Sequence, residues 1–247
     1  MSASAHLKLA IVVPAYNASK TIERVFARIP PAIQHQIVTY IVVNDGSTDN
    51  TAAVLSRLLQ GYPNVLTLHH DVNKGYGAAE KTLLRCAVET DADVVVLLHA
   101  DDQYAPEELP QLIEPFASGE ADIVQGSRMM EGRAARRGGM PRYKYVANRG
   151  LTAIENMTFG LQMAEYHSGY MLYAKRALRE IPFEKLSDSF CFDQEMLIMA
   201  KVKGLKIVQR PIPTYYGDEI SHLKPIRYGL HVLSLVLAYK RGYYHAL

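Results

Sequence analysis

The chain of 247 residues has little of several things, and each shortage removes a class of protein. It holds two cysteines, Cys86 and Cys191, far apart and in helix-like surroundings. A disulfide-stapled secreted scaffold is excluded, and buried reduced thiols in a cytosolic protein are the reading that fits. Charge of one sign is also missing. The 27 Lys and Arg against 25 Asp and Glu leave a net +2, too little for a nucleic-acid partner, so any basic site has to be local. No apolar run approaches the roughly 20 residues that cross a bilayer, and residues 1–6 lack the charged-then-apolar order of a signal peptide. There is no internal repeat, low-complexity tract or linker. The expectation is a cytoplasmic protein that spans no membrane, built as one large α/β domain or two small ones.

What is present is an alternation of strand and helix patterns. Strands are expected at Leu7–Ala15, Ile37–Val43, Val65–His69, Val94–Leu98 and Ala121–Gln125. Helices fit from a cap at Asn17 or Ser19 to about Ile29, through Val54–Leu59 to Gly61, over Lys74–Thr90 and over Pro106–Ala117. Pro30-Pro31 reads as the stop of the first helix. This order predicts a mostly parallel, doubly wound α/β sheet. After Ser127 the regularity breaks, with helices expected at Tyr145–Phe159 and Cys191–Lys203 and strands at Gly169–Tyr173 and Ile207–Ile212. Residues 1–217 then read as one domain and 218–247 as a C-terminal helical extension.

The sharpest single feature is His99-Ala100-Asp101-Asp102-Gln103 at the end of the apolar run Val94–Leu98. Five aliphatic residues suit a strand buried on both faces, and the carboxyl end of such a strand is where open α/β sheets bind ligands. Oxygen ligands there suit a hard cation, Mg²⁺ or Mn²⁺, recruited to manage phosphate charge. The alternative is a solvated loop in which Asp101 or Asp102 caps the next helix. Two further strand ends feed the same crevice, at Pro14–Asn17 and Asn44–Ser47. Residues 128–149 carry seven cations against one acid, Glu131, in a Gly-rich stretch. A solvated face is one reading of that stretch, and an anion-binding loop is the other. Tyr228–Tyr239 is apolar between Lys224, Arg227, Lys240 and Arg241. It is too short to span but suits a helix lying in a headgroup region or packing on protein. Gly75-Tyr76-Gly77 is no dinucleotide fingerprint, because Glu80 takes the third glycine position and the motif follows strand three, not strand one.

Val12–Asn17, Val42–Asp49 and Asn73–Ala79 resemble the successive motifs of glycosyltransferase family 2, most closely its dolichyl-phosphate mannosyltransferase-like members. Asp122–Arg128, His167–Tyr170 and Phe192–Glu195 extend the likeness, which runs from about Leu9 to Tyr216. The resemblance implies a GT-A fold and transfer of a sugar, with inversion, from a UDP- or GDP-linked donor to a polyprenyl phosphate. A saccharide hydroxyl is the alternative acceptor, and a nucleotide-sugar-binding pseudoenzyme is the non-catalytic rival. Carried over residue by residue, Pro14, Tyr16, Asn17, Asp45, Lys74, Ala100 and Asp101 would hold the donor. The metal would fall to Asp101, Gln103 and His99.

Here the sequence departs from the family's Asp-any-Asp pattern, since His99 stands at the first acid. Imidazole suits Mn²⁺ better than Mg²⁺. Asp102 is a substitute ligand, and His222 either closes over the metal or is a surface histidine. Asp193 matches the family's base. A sugar hydroxyl would need it for deprotonation, whereas a phosphate acceptor would need it only to orient groups, and helix capping is the bland alternative. Arg128, with Arg142 and Arg149 behind it, would face the acceptor phosphate as guanidinium forks. The resemblance leaves the sugar, the base and the oligomeric state open, and a peripheral membrane contact follows only from the C-terminal stretch.

Overall fold

Seven strands form one sheet in the order β3-β2-β1-β4-β6-β5-β7, described by a computed structural model for residues 7–62, 64–131, 134–213 and 225–247. The chain runs β1 (Leu9–Ala15), α1 (Ile22–Ala27), α2 (Pro31–Gln34), β2 (Ile37–Asp45), α3 (Thr51–Leu58) and β3 (Val65–His70). It continues through α4 (Tyr76–Val88), β4 (Val94–Leu97), α5 (Leu109–Ala117), β5 (Ile123–Ser127), α6 (Ala134–Arg137) and α7 (Arg142–Phe159). The last elements are β6 (Met171–Ala174), α8 (Lys175–Glu180), α9 (Phe192–Val202), β7 (Ile207–Pro211) and α10 (Pro225–Lys240). All pairings are parallel except those of β6, which runs against both β4 and β5.

The apolar runs at β1 and β4 exist because both faces of these central strands are covered. Ala10 and Val12 of β1 and Val95 and Leu97 of β4 enter one core layer, with Leu83 of α4 and Leu197 of α9. Their neighbours Leu9, Ile11, Val13, Val94 and Val96 enter the other, with Val25 of α1, Leu55 of α3 and Leu112 of α5. The period of two along a strand thus feeds two layers at once. At the C-terminus, Val236 and Tyr244 join the first layer, and the Tyr239 ring packs edge-on against Phe159.

Several local expectations shift. The first helix starts at Ile22, not after a cap at Asn17 or Ser19, because Asn17 adopts a left-handed φ of 51° and turns its side chain to the next loop. Pro31 opens the one-turn α2 instead of ending a helix, the fixed φ of proline being suited to a first helical position. α2 and α8 carry too few residues to show a period. The tail that contains α10 is anchored by Tyr244, whose hydroxyl donates to Glu195 on α9 at 3.0 Å.

The β2–α3 turn leaves no room for a side chain at Gly46, where φ is +64° and an added Cβ would lie 2.3 Å from the Asn73 amide nitrogen. Gly46→Ala should therefore cost about 2–4 kcal/mol of stability by urea denaturation. A loss below about 0.5 kcal/mol, the usual range for a surface change, would contradict this packing.

Candidate active site

The carboxyl ends of β1, β2, β4 and β5 deliver their loops to one edge of the sheet, since these strands run in the same direction. The first two loops are stitched together. Asn17 donates its N–H to Ser47 Oγ at 2.9 Å and accepts from the Thr48 N–H at 2.9 Å. Ala18 N–H donates to Thr51 Oγ1 at 2.8 Å, and Asp49 accepts from the Thr51 N–H at 2.9 Å. Tyr16 stays exposed at this rim and Pro14 is half-buried.

Asp45 closes the floor between β2 and α4. Its Oδ1 accepts from His70 Nδ1 at 2.6 Å and from the Lys74 N–H at 2.9 Å, and its Oδ2 accepts from the Gly75 N–H at 3.1 Å. A carboxylate has about four acceptor positions, so Oδ2 retains room for one further donor. The Lys74 side chain is exposed beside it.

The loop after β4 divides its residues by role. Ala100 is buried, whereas Asp101 is exposed and uses Oδ1 to accept from the Gln103 N–H at 3.1 Å. Asp102 does not serve as a substitute metal ligand. Its two oxygens form ion pairs with Arg24 and Arg28, each at 2.5 Å, and its φ of 65° turns it away from its neighbours. The His99 Nε2–H donates to the Gly169 carbonyl at 2.9 Å, so that nitrogen has no lone pair to offer. Among the described residues no three His, Cys, Asp or Glu side chains gather in ligand geometry. Asp101 alone still suits a hard cation that keeps its waters and takes its other ligands from substrate phosphates. Gln103 is half-buried next to it, and His222 lies outside the described residues.

Beneath this loop the structure assembles a group that only partly stood out in the sequence. Tyr76, at the first position of α4, donates its hydroxyl to Asp193 Oδ2 at 2.6 Å and lies 3.3 Å from His99 Nε2. Its ring stacks between Phe190 and His99, and His99 in turn meets Tyr104. Gly169 is glycine because an added Cβ would fall 2.7 Å from Tyr76 Oη and 3.2 Å from Asp193 Oδ2.

Asp193 sits one residue inside α9, whose cap is Cys191, so it caps nothing. Burial pushes its carboxyl above the ordinary range, and the Tyr76 hydrogen bond and His99 only partly oppose this. Glu80, one turn along α4 from Tyr76, is fully buried without a conventional partner for either oxygen. Burial and the adjacent Asp193 charge drive Glu80 well above the ordinary carboxylate range. Two carboxyls this close in a dry interior cannot both ionise readily, and of the pair Glu80 is the one raised further. Its signal in the sequence is an acid on the apolar face that also holds Leu83, Leu84 and Ala87.

Arg128 does not open toward an acceptor. Its side chain is 14% exposed, and its guanidinium lies on Glu165 Oε2 at 2.8 Å and on the His167 carbonyl at 2.5 Å. Burial raises the Glu165 carboxyl, but the Arg128 charge and hydrogen bonds outweigh it and hold Glu165 below its usual range. Asn148 of α7 donates to the same carboxylate at 3.2 Å. Nothing in Ala164-Glu165-Tyr166 marks Glu165 as the buried partner of a distant arginine. Arg142 and Arg149 are exposed on α7, with Arg149 over the Tyr145 ring.

A sheet of this order, with its loops gathered at the strand carboxyl ends and Asp101 exposed beyond β4, has the GT-A type of fold. The chain belongs to glycosyl transferase family 2, whose pattern it matches over residues 10–182. It is a glycosyltransferase.

Among its relatives, the UDP-N-acetylglucosamine–dolichyl-phosphate N-acetylglucosaminyltransferase of Methanococcus voltae is 29% identical over 245 residues, covering 94% of this chain and 96% of that protein. The undecaprenyl-phosphate mannosyltransferase of Micrococcus luteus is 27% identical, covering 88% and 87%. In fold it is similar to glucosyl-3-phosphoglycerate synthase of Mycobacterium tuberculosis, crystallised with Mn²⁺, UDP and phosphoglyceric acid. That likeness has a TM-score of 0.70 at 20% identity, over 98% of this chain and 81% of the other.

Arg128→Ala should cost about 3–5 kcal/mol of stability, because it strands the buried Glu165 charge. Chemical denaturation at neutral pH measures this, and an unchanged midpoint would show the pair to be unimportant to folding. Glu80 binds its proton more tightly when folded, so the stability it removes grows as pH rises above its ordinary value of 4.5. Glu80→Gln should therefore gain melting temperature relative to the parent progressively from pH 4.5 to pH 8. A difference independent of pH would refute a protonated Glu80.

Proposed function

We infer that this glycosyltransferase moves a sugar from a nucleoside-diphosphate donor to a polyprenyl phosphate. The observation that carries the reading is the exposed Asp101 carboxylate at the end of a strand buried on both faces. Support comes from the two relatives above, both named for polyprenyl-phosphate acceptors and both similar along most of their length. A UDP donor agrees with the name of the Methanococcus relative and with the UDP complex of the structural neighbour.

On this reading Tyr16 and Asn17 border the nucleoside and Asp45 accepts from a base N–H at its remaining Oδ2 position. The Lys74 ammonium approaches the diphosphate. Asp101, with Gln103 beside it, holds Mg²⁺ or Mn²⁺, which when bound supplies charge neutralisation on the leaving diphosphate. The acceptor phosphate is its own nucleophile, since its second pKa is about 6 and it is mostly ionised near neutrality. No side chain has to remove a proton from it.

Asp193 then acts on position, not on a proton. It fixes the Tyr76 hydroxyl, and through Tyr76 the stack from Phe190 to His99 against which a sugar ring can rest. A hydroxyl acceptor remains the second reading, and the observation in its favour is the raised Asp193 carboxyl, which suits a general base better than an ordinary aspartate does. The cations on offer to an acceptor phosphate are the exposed Arg142 and Arg149, with Arg128 bracing the loop behind them.

No helix of the described residues is long and apolar enough to cross a membrane. We take residues 1–217 as the catalytic unit and 218–247 as its extension, working from the aqueous side of a membrane surface.

UDP with Mn²⁺ at about 100 times its Kd should stabilise the protein by roughly 2.7 kcal/mol. Asp101→Asn should remove most of the Mn²⁺-dependent part and leave the metal-free UDP response intact. Stabilisation by GDP in place of UDP would overturn the donor assignment, and none by either nucleotide would overturn the function.

A further inference from the structure

Most helices of this protein turn their apolar residues to the sheet, but α7 also turns apolar residues outward. Its exposed face carries Tyr143, Val146, Ile154 and Met157, with Val146 68% and Met157 81% accessible. Ala147, Gly150 and Ala153 lie exposed between them. At 100° per residue these seven positions fall within one arc of about 120°, the width of a complete helix face. The opposite face is the one that packs, through Thr152, Glu155 and Phe159.

Charge around this arc is of one sign. Arg142 and Arg149 border it, and the only acid of α7, Glu155, is buried against His167. The helix that packs on α7 repeats the design. α10 leaves Leu230, Leu233 and Leu237 exposed at helical spacing, next to Lys240 and Arg241. Residues 225–247 contain no Asp or Glu at all. A stripe of this size uncovered among the described residues marks an interaction surface.

We propose that the outward face of α7, together with the α10 leucines, docks on an anionic lipid bilayer, with the α7 side chains entering the headgroup–acyl boundary. Charge complementarity selects the occupant. A second copy of the chain would set cations against cations, whereas a bilayer with anionic headgroups takes up the apolar stripe and the cationic border together. The two terms act in parallel, so both apolar contact and negative surface charge are required. The proposal deepens the lipid-phosphate reading and rests on it for its purpose, because the bilayer surface is where such an acceptor presents its phosphate. It also adds α7, whereas the sequence pointed only to residues 228–239.

The chain lacks tryptophan, so Met157→Trp and Val146→Trp each place a sole tryptophan, excited apart from the tyrosines, on the proposed face. With full-length protein and vesicles of three parts phosphatidylcholine to one part phosphatidylglycerol, without any polyprenol, both emissions should shift to the blue and be quenched by brominated acyl chains. Binding should weaken at least tenfold on pure phosphatidylcholine or at high salt. Met157→Glu should weaken vesicle co-sedimentation by a similar factor while its thermal shift with UDP and Mn²⁺ stays unchanged.

Unshifted emission on anionic vesicles overturns the proposal. So does a dimer without lipid that Met157→Glu dissolves, which would make the face a self-interface, or an acidic soluble protein that alone protects the tryptophan. Vesicle binding with no response to UDP or GDP would instead strike the proposed function and leave the docking surface standing.

Discussion

The hydrogen bond from Tyr76 to Asp193 is the contact through which the site is held. It joins the first residue of α4 to the first turn of α9 across the end of β4, three elements far apart in sequence. Burial disfavours the charged form of both partners, and the Tyr76 hydrogen bond partly offsets that penalty on the Asp193 carboxylate. Burial and the neighbouring Asp193 charge hold the tyrosine hydroxyl far above its ordinary pKa, which keeps it a donor. The bond in turn fixes the Tyr76 ring, which stacks on His99, and His99 pins the Gly169 carbonyl ahead of β6. The absence of a side chain at Gly169 is what lets these four groups meet.

The protein separates its charges by depth. Deep acids are matched, Glu165 by Arg128 and Asp45 by His70 and two backbone amides, or pushed toward the neutral form, as burial and Asp193 push Glu80. Asp101, Lys74, Arg142 and Arg149 are left outward, and on the proposed function these are the groups offered to phosphate oxygens and to a cation between them. An isolated buried charge costs several kcal/mol, so the deep groups hold the scaffold and the shallow ones remain free to bind. The order in which residues seem important in the sequence is therefore not the order in which they can reach a ligand. Arg128 follows a strand end as an anion-binding arginine would, yet its fork is occupied by the protein itself.

Much of the fold could be read directly, because strands buried on both faces leave long aliphatic runs. The runs ending at Ala15, Val43 and Leu98 and the turn signals after them located the carboxyl ends of β1, β2 and β4 to within a residue or two. Short elements such as α2 and α8, and the reversal of β6, left no comparable trace. The Asp101 loop was legible as an acid where a strand should end in apolar or turn residues. Glu80 could have been noticed as an acid on an apolar helix face. Glu165 and the 2.6 Å reach of Tyr76 could not, since their partners lie 37 and 117 residues away.

The sequence alone determined which segments would be strands, that the sheet would be mostly parallel, and which family's motifs it carries, since these depend on local period and order. Tertiary structure decided which charged groups are spent inside and which face outward, and that α7 shows an apolar face to the exterior. The reason is physical: pairing and desolvation depend on which distant side chain arrives within about 3 Å, and periodicity says that a helix has two faces without saying which one is covered.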